Sequence, residues 1–266
     1  MFIKMPDKEW GLVFLEDIDL EAQMAAVRSL IRRNREADIH LEAEIDALEA
    51  QVQTLTDYEA QIAEQIWVGQ MQHSVFQDAA NSMAAVGMVA PMFEALFTNL
   101  FAAMGREATP KPVFPSADDG ASARQRRANA DRWDPHVVFD SKGRREDLVA
   151  GIQQLAVETG LEAKLPGDYG KVITGLFLYR NMMFHNGFEW PVERRAAFAS
   201  QIKSQGLPEN WFRSSFHDHE PWIYYMTSEF VDRCLKLVDE VLAAIGGMTK
   251  PQSKMADDAA DGAEKA

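Results

Sequence analysis

Residues 168–187 read DYGKVITGLFLYRNMMFHNG, and the reading of this stretch decides the fold. Asp168 stands at an N-cap position and Gly187 at a stop, so the pattern predicts a helix over 169–186. Val172, Ile173, Leu176, Phe177, Met183 and Phe184 supply its packing side chains. Its last two turns hold Arg180, Asn181 and His185, a permanent cation, an amide and an imidazole within six residues. An apolar helix avoids that combination unless the polar groups are used. A guanidinium forks onto phosphate oxygens, and an imidazole takes and returns a proton near neutral pH. Presented together, they suggest chemistry on a phosphodiester. Asn181 and His185 are four apart and share a helix face. Arg180 lies about 140° from His185 around the axis, within reach of a long side chain.

Outward from this helix the chain keeps a helical pattern. Residues 14–68 are expected to be one helix. Leu41, Ile45, Leu48, Val52 and Leu55 form an a/d seam that Ile62 and Ile66 resume, with Glu59 breaking it. Glu-rich flanks would repel across a parallel homodimer. The seam therefore calls for a partner with basic flanks, an intramolecular mate, or its own domain. Residues 69–104 continue as helix with Met and Ala in place of charge, and Pro91 is expected to kink or restart it. Residues 105–145, rich in Pro, Gly and Ser, read as a long loop, with Trp133 to Phe139 docking onto the core. Helix signals return over 146–160, with Leu148, Ile152 and Leu155 on one face and Gly160 as the stop. Pro191 opens a short helix to about Ser204. Pro221 is placed at the first turn of the last helix, with Ile223, Met226, Phe230, Cys234, Leu237, Val241 and Ile245 as its apolar stripe. The sequence shows no alternating strand pattern, so the expected class is all-α. Its parts are an N-terminal long, coiled-coil-like segment over 1–68, a helical domain over 69–245 with the loop at 105–145, and a disordered tail over 246–266.

Composition narrows the function classes. The 266 residues are 47% apolar, enough to bury a substantial core. The single cysteine, Cys234, forbids an internal disulfide and fits a reducing, cytoplasmic setting. The N-terminus lacks the apolar core of a signal peptide. No stretch reads as a membrane span. Residues 83–104 come nearest, but Pro91 and Glu94 interrupt them. A net charge of −14 repels nucleic acid at long range. Any contact with RNA must come from a local patch, and residues 124–145 offer one with Arg124, Arg126, Arg127, Arg132, Lys142, Arg144 and Arg145. A solvated loop is the other reading of that run.

Arg180-Asn181, three further residues and then His185, late in a helix of an all-α region, resembles the signature motif of the HEPN superfamily. The following Asn186-Gly187-Phe188-Glu189-Trp190-Pro191 is also similar to bacterial HEPN-like proteins. The resemblance spans the helical region from about 70 to 245 and leaves the N-terminal segment unexplained. It implies a HEPN-like helical bundle and a metal-independent endoribonuclease with no cofactor. Such an enzyme acts as a homodimer whose two motifs face one cleft, in a toxin–antitoxin or phage-defence setting. Arg180, His185 and Asn181 would then be catalytic, and Asn186, Arg144 and Arg145 would contact the RNA substrate. Some relatives have lost catalysis and only bind. The alternative is thus a non-catalytic helical interaction module, and an antitoxin or a helical protein is the implied partner.

On the residues alone, a structural reading also stands. Arg180 pairs with a buried carboxylate such as Glu94, and His185 caps its own helix end. His217-Asp218-His219-Glu220 clusters metal-ligand types, but adjacent residues rarely complete a site, and a solvated turn before Pro221 is preferred. His73 and His40 read as surface, and Cys234 as an inert core thiol. No metal is expected.

Overall fold

The computed structural model describes residues 5–15, 18–107, 132–138 and 144–250. Among these the chain is mostly helical, with seven α-helices and one two-stranded hairpin. The helices are α1 (Asp7–Phe14), α2 (Leu20–Val52), α3 (Asp57–Glu107), α4 (Leu148–Glu158), α5 (Tyr169–Asn186), α6 (Val192–Ser204) and α7 (Ser228–Thr249). The strands are β1 (Phe212–His217) and β2 (Glu220–Met226), antiparallel.

The long N-terminal helix of the sequence reading is two helices. A turn at 53–56 folds α2 back along α3, and Asp57 takes a left-handed φ of 54° where α3 starts. The heptad seam therefore finds its mate within the chain. Leu41, Ile45, Leu48 and Val52 are half-buried, Ala63 on α3 is buried, and Ile62 and Ile66 point outward. α3 runs through Pro91 without interruption. By length and composition α3 does satisfy the requirement for crossing a bilayer, against the sequence expectation. More than half of its apolar window (56%) is buried inside the molecule, as in the core helix of a folded domain.

The core gathers the second half of α3, from Ala85 to Phe101, with α4, α5 and α7. Phe93, Phe97 and Phe101 stack in a file along α3. Leu15, Leu20, Met24 and Val27 join the same core, so the N-terminal elements are built into it. Gly160 and Gly187 end their helices at positive φ, as expected. Trp133 covers Gly105 and Val138 is buried, so the described part of the 105–145 region docks on the core. Arg124, Arg126, Arg127, Phe139 and Lys142 lie outside the described residues.

Three further expectations change. Asp168 precedes α5 without a side-chain cap. Its carboxylate takes a forked bond from Arg233 on α7 at 2.6 and 2.8 Å, which holds it below the usual carboxylate range. Pro221 lies in β2, not at a helix start, and Thr227 caps α7 by accepting from the Phe230 amide. Ile223 and Met226 are accordingly strand residues. The last helix runs on to Thr249 with Gly246 buried, so the expected tail from 246 is helical as far as 249, and residues 251–266 lie outside the described residues.

Candidate functional site

The site helix α5 is fixed by the residue just before the motif. Tyr179 is fully buried, and its hydroxyl donates to the Tyr224 carbonyl of β2 at 3.0 Å. Ser82 on α3, also buried, accepts the Met226 amide at 2.9 Å. The β-hairpin is thereby pinned to both α3 and α5. Around Tyr179 stand Trp190, Phe198 and Phe212 at centroid distances of 5.9, 6.1 and 5.6 Å. Aromatic pairs at these separations add to the burial of their surface. Burial also pushes the Tyr179 phenol far above its usual range, so it stays a neutral donor.

The chain behind the motif is held as firmly. Gly187 turns at φ 70°, and its amide donates to the Met183 carbonyl at 2.9 Å. The Trp190 indole then donates to the Gly187 carbonyl at 2.7 Å. Glu189 accepts from the Trp222 indole at 2.8 Å, tying this loop to β2. The C-terminal end of α5 is thus a rigid platform between the aromatic cluster and the hairpin.

On that platform the motif faces solvent. Asn181 and His185 are exposed and Arg180 is half-buried. The Arg180 guanidinium donates to the Asn181 side-chain oxygen at 3.1 Å and lies 5.6 Å from the Phe184 ring centre. That bond draws the cation around the helix toward the face shared by Asn181 and His185. Among the described residues, no hydrogen bond or ion pair holds the His185 ring. Phe184 is half exposed, and its tip faces Gly87 of α3.

The structural alternative for Arg180 does not form. Glu94 lies 3.3 Å from His136 instead. Asn186 uses its amide on the Met182 carbonyl at 2.8 Å, bracing the helix end rather than facing outward. Arg145 donates to the His136 carbonyl at 2.8 Å, and Arg132 pairs with Glu158 at 2.8 Å. Arg144 is exposed and engaged in an interaction of its own. The bonds of Arg145 and Arg132 involve no motif residue.

His217-Asp218-His219-Glu220 is the tip of the β-hairpin. Asp218 and His219 both take positive φ (51° and 65°), the pattern of a two-residue type I′ turn. Among the described residues no cluster of His, Cys, Asp or Glu has the arrangement of a metal site. Cys234 is fully buried, and burial raises its thiol far above its usual range, which makes it an inert core group.

The sequence reading missed Tyr179 and Ser82, and named Trp190 only within the HEPN-like stretch, without its anchoring role. The available signal was a tyrosine and a tryptophan flanking the polar motif by one and five residues, in a segment already rich in aromatics. Comparison with protein-family models, curated proteins and solved structures finds no match to this chain.

Proposed function

We propose that the chain is a metal-independent endoribonuclease of the HEPN type. It works as a homodimer in which two copies of the motif share one cleft. The observation that carries this reading is the state of His185. It stands exposed, and unengaged by any described residue, at the end of a rigidly anchored helix, next to an Arg–Asn pair that faces the same solvent. A histidine kept only for packing or capping has no need of that setting.

The chemistry follows from the groups present. In-line cleavage of RNA requires a proton removed from the ribose 2′-hydroxyl and a proton delivered to the leaving 5′-oxygen. His185 of one protomer takes the first and His185 of the partner subunit delivers the second. Positioned proton transfer contributes about 10²–10⁴-fold to such reactions. Arg180, tethered by Asn181, meets the charge that builds on the phosphorane oxygens. No metal or cofactor enters this scheme. The resemblance suggests a toxin–antitoxin or phage-defence setting for such an enzyme, and the single cysteine fits the cytoplasm.

The test is RNA cleavage by purified wild type with chelator present, beside the His185→Ala and Arg180→Ala variants. Both side chains leave the core intact, so folded variants are expected. We expect His185→Ala to lose at least about 10²-fold in cleavage rate, the lower end of what a general acid–base group supplies. Full activity in both variants, or no cleavage by wild type on any RNA, overturns the proposal. The second outcome leaves a non-catalytic interaction module. The feature favouring that reading is the outer face of the α2–α3 hairpin.

A further inference from the structure

The α2–α3 hairpin carries an apolar face that no part of the described chain covers. Tyr58, Ile62, Ile66, Gly69 and His73 fall within about 80° of one another around α3 and span about 22 Å along it. All five are exposed, Tyr58 to 73%. The opposite face carries Ala63 and Trp67, turned toward α2. The main core on α3 begins at Ala85, and Phe76 meets Trp222 of β2 edge-on at 5.4 Å, so this face lies on the outer part of the hairpin, from about 18 Å to about 40 Å ahead of Ala85 along α3. Gly69 lies at the middle of it. Glycine inside a helix costs about 1 kcal/mol relative to alanine, and a Cβ there would meet nothing within 4 Å. Nothing among the described residues asks for a glycine at this position, whereas a partner backbone approaching the helix closely would.

Charge selects the occupant. Between Arg35 and Arg106 the chain contains no Lys or Arg, and nine acidic residues fall between Glu36 and Glu64. Most of the net charge of −14 is therefore concentrated on the hairpin. Glu42, Glu49, Glu59 and Glu64 are exposed along it. A second copy would bring like charge against like charge, and nucleic acid and anionic lipid are repelled in the same way. We propose that this face docks a cationic amphipathic helix of another protein. Its apolar anchors would pack on Tyr58, Ile62 and Ile66, and its Lys or Arg flanks would meet the hairpin carboxylates. The inference is independent of the ribonuclease reading, since no motif residue takes part.

The experiment uses the full chain and a synthetic Leu/Lys helix of about 16 residues, the length that covers the face. Its Leu residues recur at i, i+3, i+4 and i+7. A scrambled peptide of the same composition and a Leu/Glu version are the controls. Binding is followed by fluorescence anisotropy. The triple variant Tyr58→Ser/Ile62→Ser/Ile66→Ser alters only exposed side chains, and circular dichroism confirms its fold. We expect binding of the amphipathic cation alone, weakened about tenfold or more by the triple variant, as for loss of a central apolar anchor, and weakened further by salt. RNA cleavage by the triple variant is expected to match wild type. Equal binding by the scrambled peptide, or by the triple variant, overturns the proposal. So does a wild-type dimer that the triple variant converts to monomer, which would assign the face to a second copy.

Discussion

Tyr179 and Arg180 are neighbours about 100° apart around α5, one buried in the core and the other half-buried at its edge. The first orients the second, because a helix is stiff over one turn and Tyr179 fixes its rotation. Its hydroxyl bond to the Tyr224 carbonyl is fully buried, so removing the donor strands an acceptor away from water. Tyr179→Phe keeps the ring packing and deletes only that bond. We expect a loss of about 1–3 kcal/mol, the penalty for a buried polar group left unpaired, measured as a lowered urea midpoint at unchanged slope. An unchanged midpoint would show that the hydroxyl does not anchor α5. The motif itself was legible in the sequence because polar side chains in an apolar helix are conspicuous. Its anchor was not, because a tyrosine among apolar residues looks like packing until its partner is known, and Tyr224 is 45 residues away. Asp168 illustrates the same limit. Its local signal was a cap, but Arg233 on α7, 65 residues further on, takes both carboxylate oxygens.

At the scale of elements, the hairpin of α2 and α3 is held by a seam that includes half-buried acid. Asp78 on α3 lies among Asp38 and Glu42 of α2, and burial, reinforced by those like charges, pushes its carboxyl up to about 6. Asp38 accepts from the Asn81 amide at 2.9 and 3.2 Å, yet its own carboxyl is also raised, chiefly by burial. A carboxyl whose folded value lies above its unfolded value favours the fold while protonated. That contribution is complete below the unfolded value of 3.8 and is lost as pH rises through about 6. Asp78→Asn should therefore stabilise the chain at pH 8, by about 1 kcal/mol once solvent screening is allowed for, and make little difference at pH 4. Thermal melts of both proteins across pH 4–8 measure this. A gain that persists at pH 4 would mean that charge is not the cause. The heptad register of α2 was readable because its apolar spacing is regular. The turn after it was not, because residues 53–56 contain neither Gly nor Pro, and an unbroken helix fits the same pattern. The β-hairpin was hidden for a similar reason. Its type I′ positions hold Asp218 and His219 instead of Asn and Gly, and Pro221 imitates a helix start.

The two ends of the described chain meet at one crossing. α1 lies across the end of α7 with Gly11 against Leu242 and Gly246 against the Asp7 carbonyl, so both positions have backbone where a side chain would sit. Lys250 donates to the Met5 carbonyl at 2.6 Å, and Asp239 pairs with both Lys8 and Arg28 at 2.6 and 2.7 Å. Removing residues 14–68 would therefore take Leu20, Met24 and Val27 out of the core as well as the hairpin. A lost partner in such a deletion would not identify the docking face, whereas the exposed substitutions at Tyr58, Ile62 and Ile66 can. The crossing makes its own prediction through two adjacent glycines. A Cβ at Gly246 collides with the Asp7 backbone, and with the Gly11 nitrogen at 2.9 Å. One at Gly247 reaches only the Asp7 carboxylate at 3.6 Å, an ordinary contact. Gly246→Ala should cost about 1–3 kcal/mol, as overpacking does in a tight interface, and should free α1 for cleavage within residues 5–15 by a limiting amount of protease. Gly247→Ala should be neutral or stabilise by up to about 1 kcal/mol, because alanine is the better helix former. The comparison is internally controlled, since both changes add one methyl group to the same turn of α7. Equal melting temperatures and equal protease resistance for the two variants would show that α1 is not seated on α7 through Gly246.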